Sequence, residues 1–340
     1  MLNVNYPERW PLRLLLGPAV IAVLKLASDC EPPTHTAQMA SMQAEAAPYN
    51  GLERHFLLFR LQRSACVKTS ARNASLLKNG IGQPVAPANG GRGRPIVEFS
   101  TLVKVLRWRA LEQPEQRIYS HLVDGEKEGT HLTYAALDWQ ARAIGAMLQT
   151  HCAGGARVLL LYPTGLEFIA AFFGCLYAGV IAVPVPPPNP AQPQRTLPRL
   201  RAITNDARPS VALTTSSILS KMNGLFTQTP DLQTMRWLAT DTLANTLAPE
   251  WQEPAVTSNT RVLLQYTSGS TTAPKGVMVS HGNLLHNSAH ISKVFEITAD
   301  TVSVTWLPVF HDMGLTNGIV QPVYGGRQCI LMPPQSFLQR

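Results

Sequence analysis

Val158-Leu159-Leu160-Leu161 and, one helix-length segment later, Val180-Ile181-Ala182-Val183 decide the fold of this chain. Each run is continuously apolar, without the alternation of a half-exposed strand, which is the pattern of a strand buried on both faces. Residues 165–178 between them read as a helix. Strands alternating with helices form a parallel sheet covered on both sides. Downstream the alternation recurs, with a helix near 197–206, a strand over Val211–Thr214 and a helix near 216–226. Upstream, Leu137, Ala141, Ile144 and Leu148 mark one stripe of a helix. Arg117–Val123 and Thr130–Tyr134 are predicted as strands around the turn signal Asp124-Gly125. Ser100 is placed to cap a helix with Leu102, Leu106 and Ala110 on one face. The predicted fold class is therefore α/β, with layered parallel sheets flanked by helices.

Seven prolines between Pro184 and Pro198 predict a stiff surface connection in polyproline conformation, in preference to an SH3-type ligand. Hydrophobic residues make up 45% of the 340 residues and charged residues 15%, so the chain reads as folded and apolar-rich. The net charge of +8 is uneven: residues 1–95 carry 11 Lys/Arg against 5 Asp/Glu, and residues 96–340 carry 18 against 16. The basic residues are scattered singly and form no stripe, which argues against nucleic-acid binding. Five cysteines stand at wide spacings with no C-x-x-C pair, so neither a disulfide framework nor a zinc site is indicated. Cys175 and Cys329 lie in apolar runs and read as buried thiols of a reducing compartment.

Residues 1–95 differ from the rest. Leu14–Leu24 is an apolar run of 11 residues, too short for a transmembrane span of about 20. It has the length of a signal-peptide core, but Gly17-Pro18 interrupts it and Ala27-Ser28-Asp29-Cys30 is a poor cleavage site. Residues 31–95 show no sustained period and end in the linker-like Asn89-Gly90-Gly91-Arg92-Gly93-Arg94-Pro95. The expectation is a poorly structured or non-native extension over 1–95, followed by a folded domain over 96–340 in a cytoplasmic protein.

The chemistry concentrates after a predicted strand over Arg261–Tyr266. There Thr267-Ser268-Gly269-Ser270-Thr271-Thr272-Ala273-Pro274-Lys275-Gly276 fills one loop, and Val277-Met278-Val279 resumes a strand. Glycines let backbone N–H groups converge on an anion, hydroxyls donate further hydrogen bonds, and a lysine adds a point charge. The string is no Walker A loop, because Lys275 is followed by Gly276 and a strand, where that motif needs Ser/Thr and a helix. His286 and His290 stand four apart on a helix beginning near Ser280 but have no third ligand nearby, so solvated side chains are expected and no metal site. His311 follows the predicted strand Val302–Leu307 and adjoins Asp312.

Tyr266–Gly276 resembles the phosphate loop of the adenylate-forming enzymes: acyl-CoA synthetases, peptide-synthetase adenylation domains, luciferases and fatty-acyl-AMP ligases. The chain is most similar to the last of these. Leu161-Tyr162-Pro163-Thr164-Gly165-Leu166-Glu167-Phe168-Ile169, Phe172 through Gly179, Val183-Pro184, Trp306-Leu307-Pro308, Phe310-His311-Asp312-Met313-Gly314-Leu315 and Pro333 to Arg340 share the likeness, which spans about residues 97–340. Thr272 departs from it, since many members carry glycine there.

The resemblance implies ATP with Mg2+, and Thr267, Ser268, Gly269, Ser270, Thr271, Lys275 and Gly276 as the cradle of the phosphates. It implies His311 beside the reacting carboxylate, a fatty acid as substrate, and an acyl carrier protein's phosphopantetheine arm or coenzyme A as acceptor. An acyl-CoA synthetase and a non-catalytic nucleotide- or acyl-binding remnant are the competing readings. The family's ribose-binding segment, hinge and C-terminal lobe with its lysine are not found, so the chain is expected to be an incomplete N-terminal domain that does not complete adenylation alone.

Overall fold

The structure, a computed structural model, describes residues 99–339 except 190, 227–228, 268–273 and 299. The segment 1–95 and the loop residues Ser268, Gly269, Ser270 and Thr271 lie outside the described residues. In chain order the elements are α1 (Leu102–Glu112), β1 (Arg117–Leu122), β2 (Glu128–Thr133), α2 (Tyr134–His151), β3 (Arg157–Leu161), α3 (Leu166–Ala178), β4 (Ile181–Val185) and α4 (Pro193–Ala207). Then follow β5 (Val211–Thr214), α5 (Ser216–Asn223), α6 (Pro230–Gln233), β6 (Arg236–Ala239), a 3-10 turn (Asn245–Glu250), β7 (Arg261–Thr267), β8 (Lys275–Ser280) and α7 (His281–Val294). The last are β9 (Ser303–Thr305), α8 (Asp312–Leu315), a π-helical turn (Thr316–Val320), α9 (Gln321–Gly325), β10 (Cys329–Leu331) and α10 (Pro334–Gln339).

Two sheets organise these elements. One is six-stranded in the order β6-β5-β3-β4-β7-β8, parallel except for the β7–β8 hairpin. The other is four-stranded in the order β2-β1-β10-β9, parallel except for the β1–β2 hairpin. The α/β expectation therefore holds, with an antiparallel strand at one edge of each parallel sheet.

The apolar runs explain the layering. Alternate residues of β3 face opposite ways: Val158 and Leu160 join the core around α2 and α3, whereas Leu159 and Leu161 meet Leu197, Leu200 and Ile203 of α4. Helix α3 is apolar all round, and Leu166 and every residue from Phe168 to Ala178 are buried. A helix of that kind belongs between layers, and α3 touches β3 and β4 of one sheet and β1 and β2 of the other. Beside it, Asp138 of α2 is only 3% exposed. Its carboxylate accepts from Arg107 Nη1 at 2.8 Å, Arg142 Nε at 3.0 Å and the Tyr177 hydroxyl at 2.7 Å.

Several boundaries differ from the sequence reading. Thr101, not Ser100, caps α1, its hydroxyl accepting from the Lys104 N–H at 3.2 Å. Tyr134 opens α2, because Thr133 caps it, accepting from the Ala136 N–H at 3.2 Å. The proline-rich connection is shorter than expected. Pro184 belongs to β4, opposite Leu160 of β3, and the only β4–β7 pairing described is at Ala182, so the missing N–H interrupts no ladder there. Pro193 stands at the start of α4, where a fixed φ suits a helix and its N–H has no partner to lose. Cys175 and Cys329 are buried as expected, and burial pushes the Cys329 thiol up to about 12. Among the described residues no helix is long and apolar enough to cross a membrane.

Candidate functional site

In open α/β sheets ligands bind outside the carboxyl ends of the strands. Strand β7 runs parallel to β4, which runs parallel to β3, so its carboxyl end shares that edge. There β7 turns back into β8, with Tyr266 opposite Gly276 and Thr267 opposite Lys275. The hairpin thus fixes both feet of the hydroxyl-rich loop face to face. Thr267, Lys275 and Gly276 are exposed at this mouth.

Tyr266 secures the hairpin from beneath. Its ring is buried, and its hydroxyl donates to Asp206 Oδ2 of α4 at 2.5 Å. Burial, and then the Asp206 carboxylate, push the phenol well up, so it stays a donor. Gly276 makes room for the ring, because a Cβ there would sit 2.9 Å from Tyr266 Cζ.

His311 is built on a second segment. Strand β9 ends at Thr305, and the chain turns through Trp306-Leu307-Pro308 to His311, the extended residue that precedes α8. The His311 N–H donates to the Pro308 carbonyl at 3.0 Å, and the Leu315 N–H donates to the His311 carbonyl at 2.8 Å. Gly314 permits this close turn, because any Cβ would collide with the Pro308 carbonyl. His311 Nδ1 lies 2.6 Å from Asp312 Oδ1, and that oxygen accepts from the Met313 N–H at 2.7 Å. Protonation of His311 makes that contact an ion pair. Trp306 stacks on Phe337 of α10, with ring centroids 3.8 Å apart.

Among the described residues one side-chain hydrogen bond joins the two segments. Gln265 of β7, two positions before Thr267, donates from Nε2 to the Phe310 carbonyl at 3.0 Å. The structure thereby brings the foot of the hydroxyl-rich loop and the His311 turn to one place. His286 and His290 are exposed on α7, outside it. Gln265, Tyr266 and Asp206 had no assigned role in the sequence reading. The available signal was an amide at position 265, directly after the apolar Val262–Leu264 stretch, which a buried strand does not keep without a partner.

The AMP-binding enzyme family pattern matches residues 106–340. The chain belongs to the AMP-binding enzyme family. It is 47% identical over 244 residues to the medium-chain-fatty-acid–[acyl-carrier-protein] ligase JamA of Moorena producens, covering 72% of this chain and 41% of that protein. It is 35% identical over 245 residues to the long-chain-fatty-acid–AMP ligase FadD32 of Mycolicibacterium smegmatis, covering 71% and 38%. The crystal structure of a fatty acyl-adenylate ligase from L. pneumophila, in complex with acyl adenylate and pyrophosphate, superposes with a TM-score of 0.65 at 43% identity, covering 71% of this chain and 41% of that one. This family member thus spans about two-fifths of the length of the relatives it matches.

Proposed function

We propose that this AMP-binding enzyme chain carries the phosphate- and carboxylate-binding part of a fatty-acid-activating ligase that uses ATP and delivers the acyl group to a carrier-protein thiol. The observation that carries the reading is the Gln265–Phe310 hydrogen bond, which sets the loop foot beside the His311 turn. A carboxylate is a poor electrophile until its oxygen bears a good leaving group. In the proposed reaction a carboxylate oxygen attacks the α-phosphorus of ATP, the bond to the bridging oxygen breaks, and pyrophosphate departs, leaving acyl-AMP. A thiol then attacks the acyl carbon, loses its proton, and AMP departs.

In-line displacement at phosphorus depends mainly on positioning and charge neutralisation. Thr267, Ser268, Gly269, Ser270, Thr271, Lys275 and Gly276 are assigned to the phosphates, and His311 to the carboxylate. Lys275 fits the task, since it is exposed at the loop foot and makes no ion pair among the described residues. Mg2+ would neutralise charge on the triphosphate. The identity to JamA favours a carrier protein as acceptor and a fatty acid as substrate.

The test is binding of ATP with Mg2+, and of a non-hydrolysable acyl-sulfamoyl adenosine, to the purified chain by titration calorimetry. Both are expected to bind saturably, and Lys275→Ala to weaken ATP by about ten- to a hundredfold, the loss of one charge-assisted contact worth about 1.5–3 kcal/mol. Failure of either ligand to bind, or equal ATP affinity in the variant, overturns the assignment.

A further inference from the structure

We infer that Gln265 is a positioning residue that couples the nucleotide half of the site to the carboxylate half, an inference that rests on the function proposed above. The side chain is 6% exposed on a strand whose neighbours Val262, Leu263 and Tyr266 are all buried in the cores. Its Nε2 is paired with the Phe310 carbonyl, but its Oε1 is buried with no partner. An amide left half-satisfied in this way gains little for stability, because its bond to the Phe310 carbonyl is offset by the burial of the unpaired Oε1. What the amide does accomplish is a link between segments. The Leu307 N–H bonds to Thr305 Oγ1 and the His311 N–H to the Pro308 carbonyl, both within the turn itself. The Gln265 bond comes instead from a strand 45 residues earlier, the strand that carries the phosphate loop. Attack of a carboxylate on phosphorus needs the reacting atoms within about 3–3.5 Å, and a misplacement of about 1 Å costs on the order of a hundredfold. Two ligand-holding segments on different parts of the fold reach that tolerance only if something fixes one against the other, and Gln265 has the position and the bond to do so.

The experiment compares the wild-type chain with Gln265→Met, which keeps length and removes the donor, and Gln265→Asn, which keeps the amide and shortens its reach. Amide hydrogen exchange is followed without ligand, and ATP and a medium-chain fatty acid are titrated separately and together. In Gln265→Met the Tm is expected to stay within about 2 °C of wild type. Exchange at His311 and Leu315 should rise about tenfold while β3 and α3 are unchanged. Each ligand alone should bind within about twofold of wild type, and the enhancement of one ligand by the other should fall about tenfold. Gln265→Asn should behave like the methionine variant. Unchanged exchange at His311 and Leu315, or undiminished coupling, overturns the inference, as does a loss of Tm accompanied by faster exchange throughout β7, which marks a merely structural role. If the wild-type chain binds neither ligand, the proposed function fails, and the exchange data still decide whether Gln265 holds the turn.

Discussion

A buried carboxylate of α2 and a buried amide of β7 are partnered in opposite ways. Around Asp138, where α2 packs on α3, every strong partner is present: two guanidinium groups and a phenol meet one carboxylate. Beside the β7–β8 hairpin, buried polar groups are left half-served. Gln265 Oε1 has no partner, and His281 at the start of α7 is fully buried with Nδ1 accepting from the Leu102 N–H at 3.3 Å and Nε2 without a partner. A satisfied network rigidifies, whereas unsatisfied groups cost stability and persist where something else is gained. The difference sets the fully partnered Asp138 apart from Gln265 and His281, whose buried atoms go unserved.

The largest effect is expected on the scaffold. Asp138→Ala leaves Arg107, Arg142 and the Tyr177 hydroxyl without their acceptor. Breaking a buried ion pair by removing one partner typically costs about 3–5 kcal/mol. Arg107 and Arg142 keep some solvent contact, so the low end, about 3 kcal/mol, is expected. Urea unfolding of the two proteins measures it. A loss under about 1 kcal/mol would remove the contrast, placing Asp138 on a par with surface ion pairs.

The second effect belongs to His281 and depends on pH. Burial lowers its pKa from 6.5 to about 4. In the folded state the ring is neutral down to about 4, while in the unfolded chain it takes up a proton near 6.5. As pH falls between these values the unfolded state binds more protons, so stability is greatest above 6.5 and is lost toward pH 4. The full loss for this group is about 3 kcal/mol, at about 1.4 kcal/mol per unit. Unfolding free energy measured at intervals from pH 7 to pH 4 in wild type and His281→Gln checks it. The wild-type curve should fall more steeply, and parallel curves would show that the ring is not held neutral.

Much of this contrast was legible in the sequence, and the rest has physical reasons. The scaffold declared itself through continuous apolar runs, because β3 and α3 are enclosed on all sides and no other pattern survives there. The hairpin that carries the hydroxyl-rich loop was legible as a strand over Arg261–Tyr266 and another resuming at Val277–Val279, and the structure pairs them as β7 and β8. Strand β10 is only three residues long, and its neighbour β1 lies some 200 positions earlier, so Cys329–Leu331 read merely as an apolar stretch. The helical stretch after His311 was hidden by Gly314, Gly318 and Pro322, and it holds through a π-helical turn whose Ile319 carbonyl accepts from the Tyr119 hydroxyl at 2.5 Å. Gln265 was visible but mute, because its partner is a backbone carbonyl, and no spacing rule points a side chain to a carbonyl 45 residues away.

The smallest effect tests whether the two regions differ in how their helices begin. Thr133 caps α2 in the scaffold, accepting from the Ala136 N–H at 3.2 Å. Ser280 caps α7 beside the site, accepting from the Asn283 N–H at 3.2 Å, while the Asn283 side chain returns a bond to the Ser280 N–H at 3.0 Å. Both satisfy donors that a helix start leaves open, and both stand on exposed or half-exposed backbone where water offers partial replacement. Replacing either residue by alanine is therefore expected to cost the same, about 1 kcal/mol. Equal losses in Thr133→Ala and Ser280→Ala would confine the contrast to side chains buried at the edge, Gln265 and His281 among them. A cost for Ser280→Ala more than about twice that of Thr133→Ala would move the origin of the contrast to the backbone, since α7 would then depend on its cap in a way that α2, packed along α3, does not.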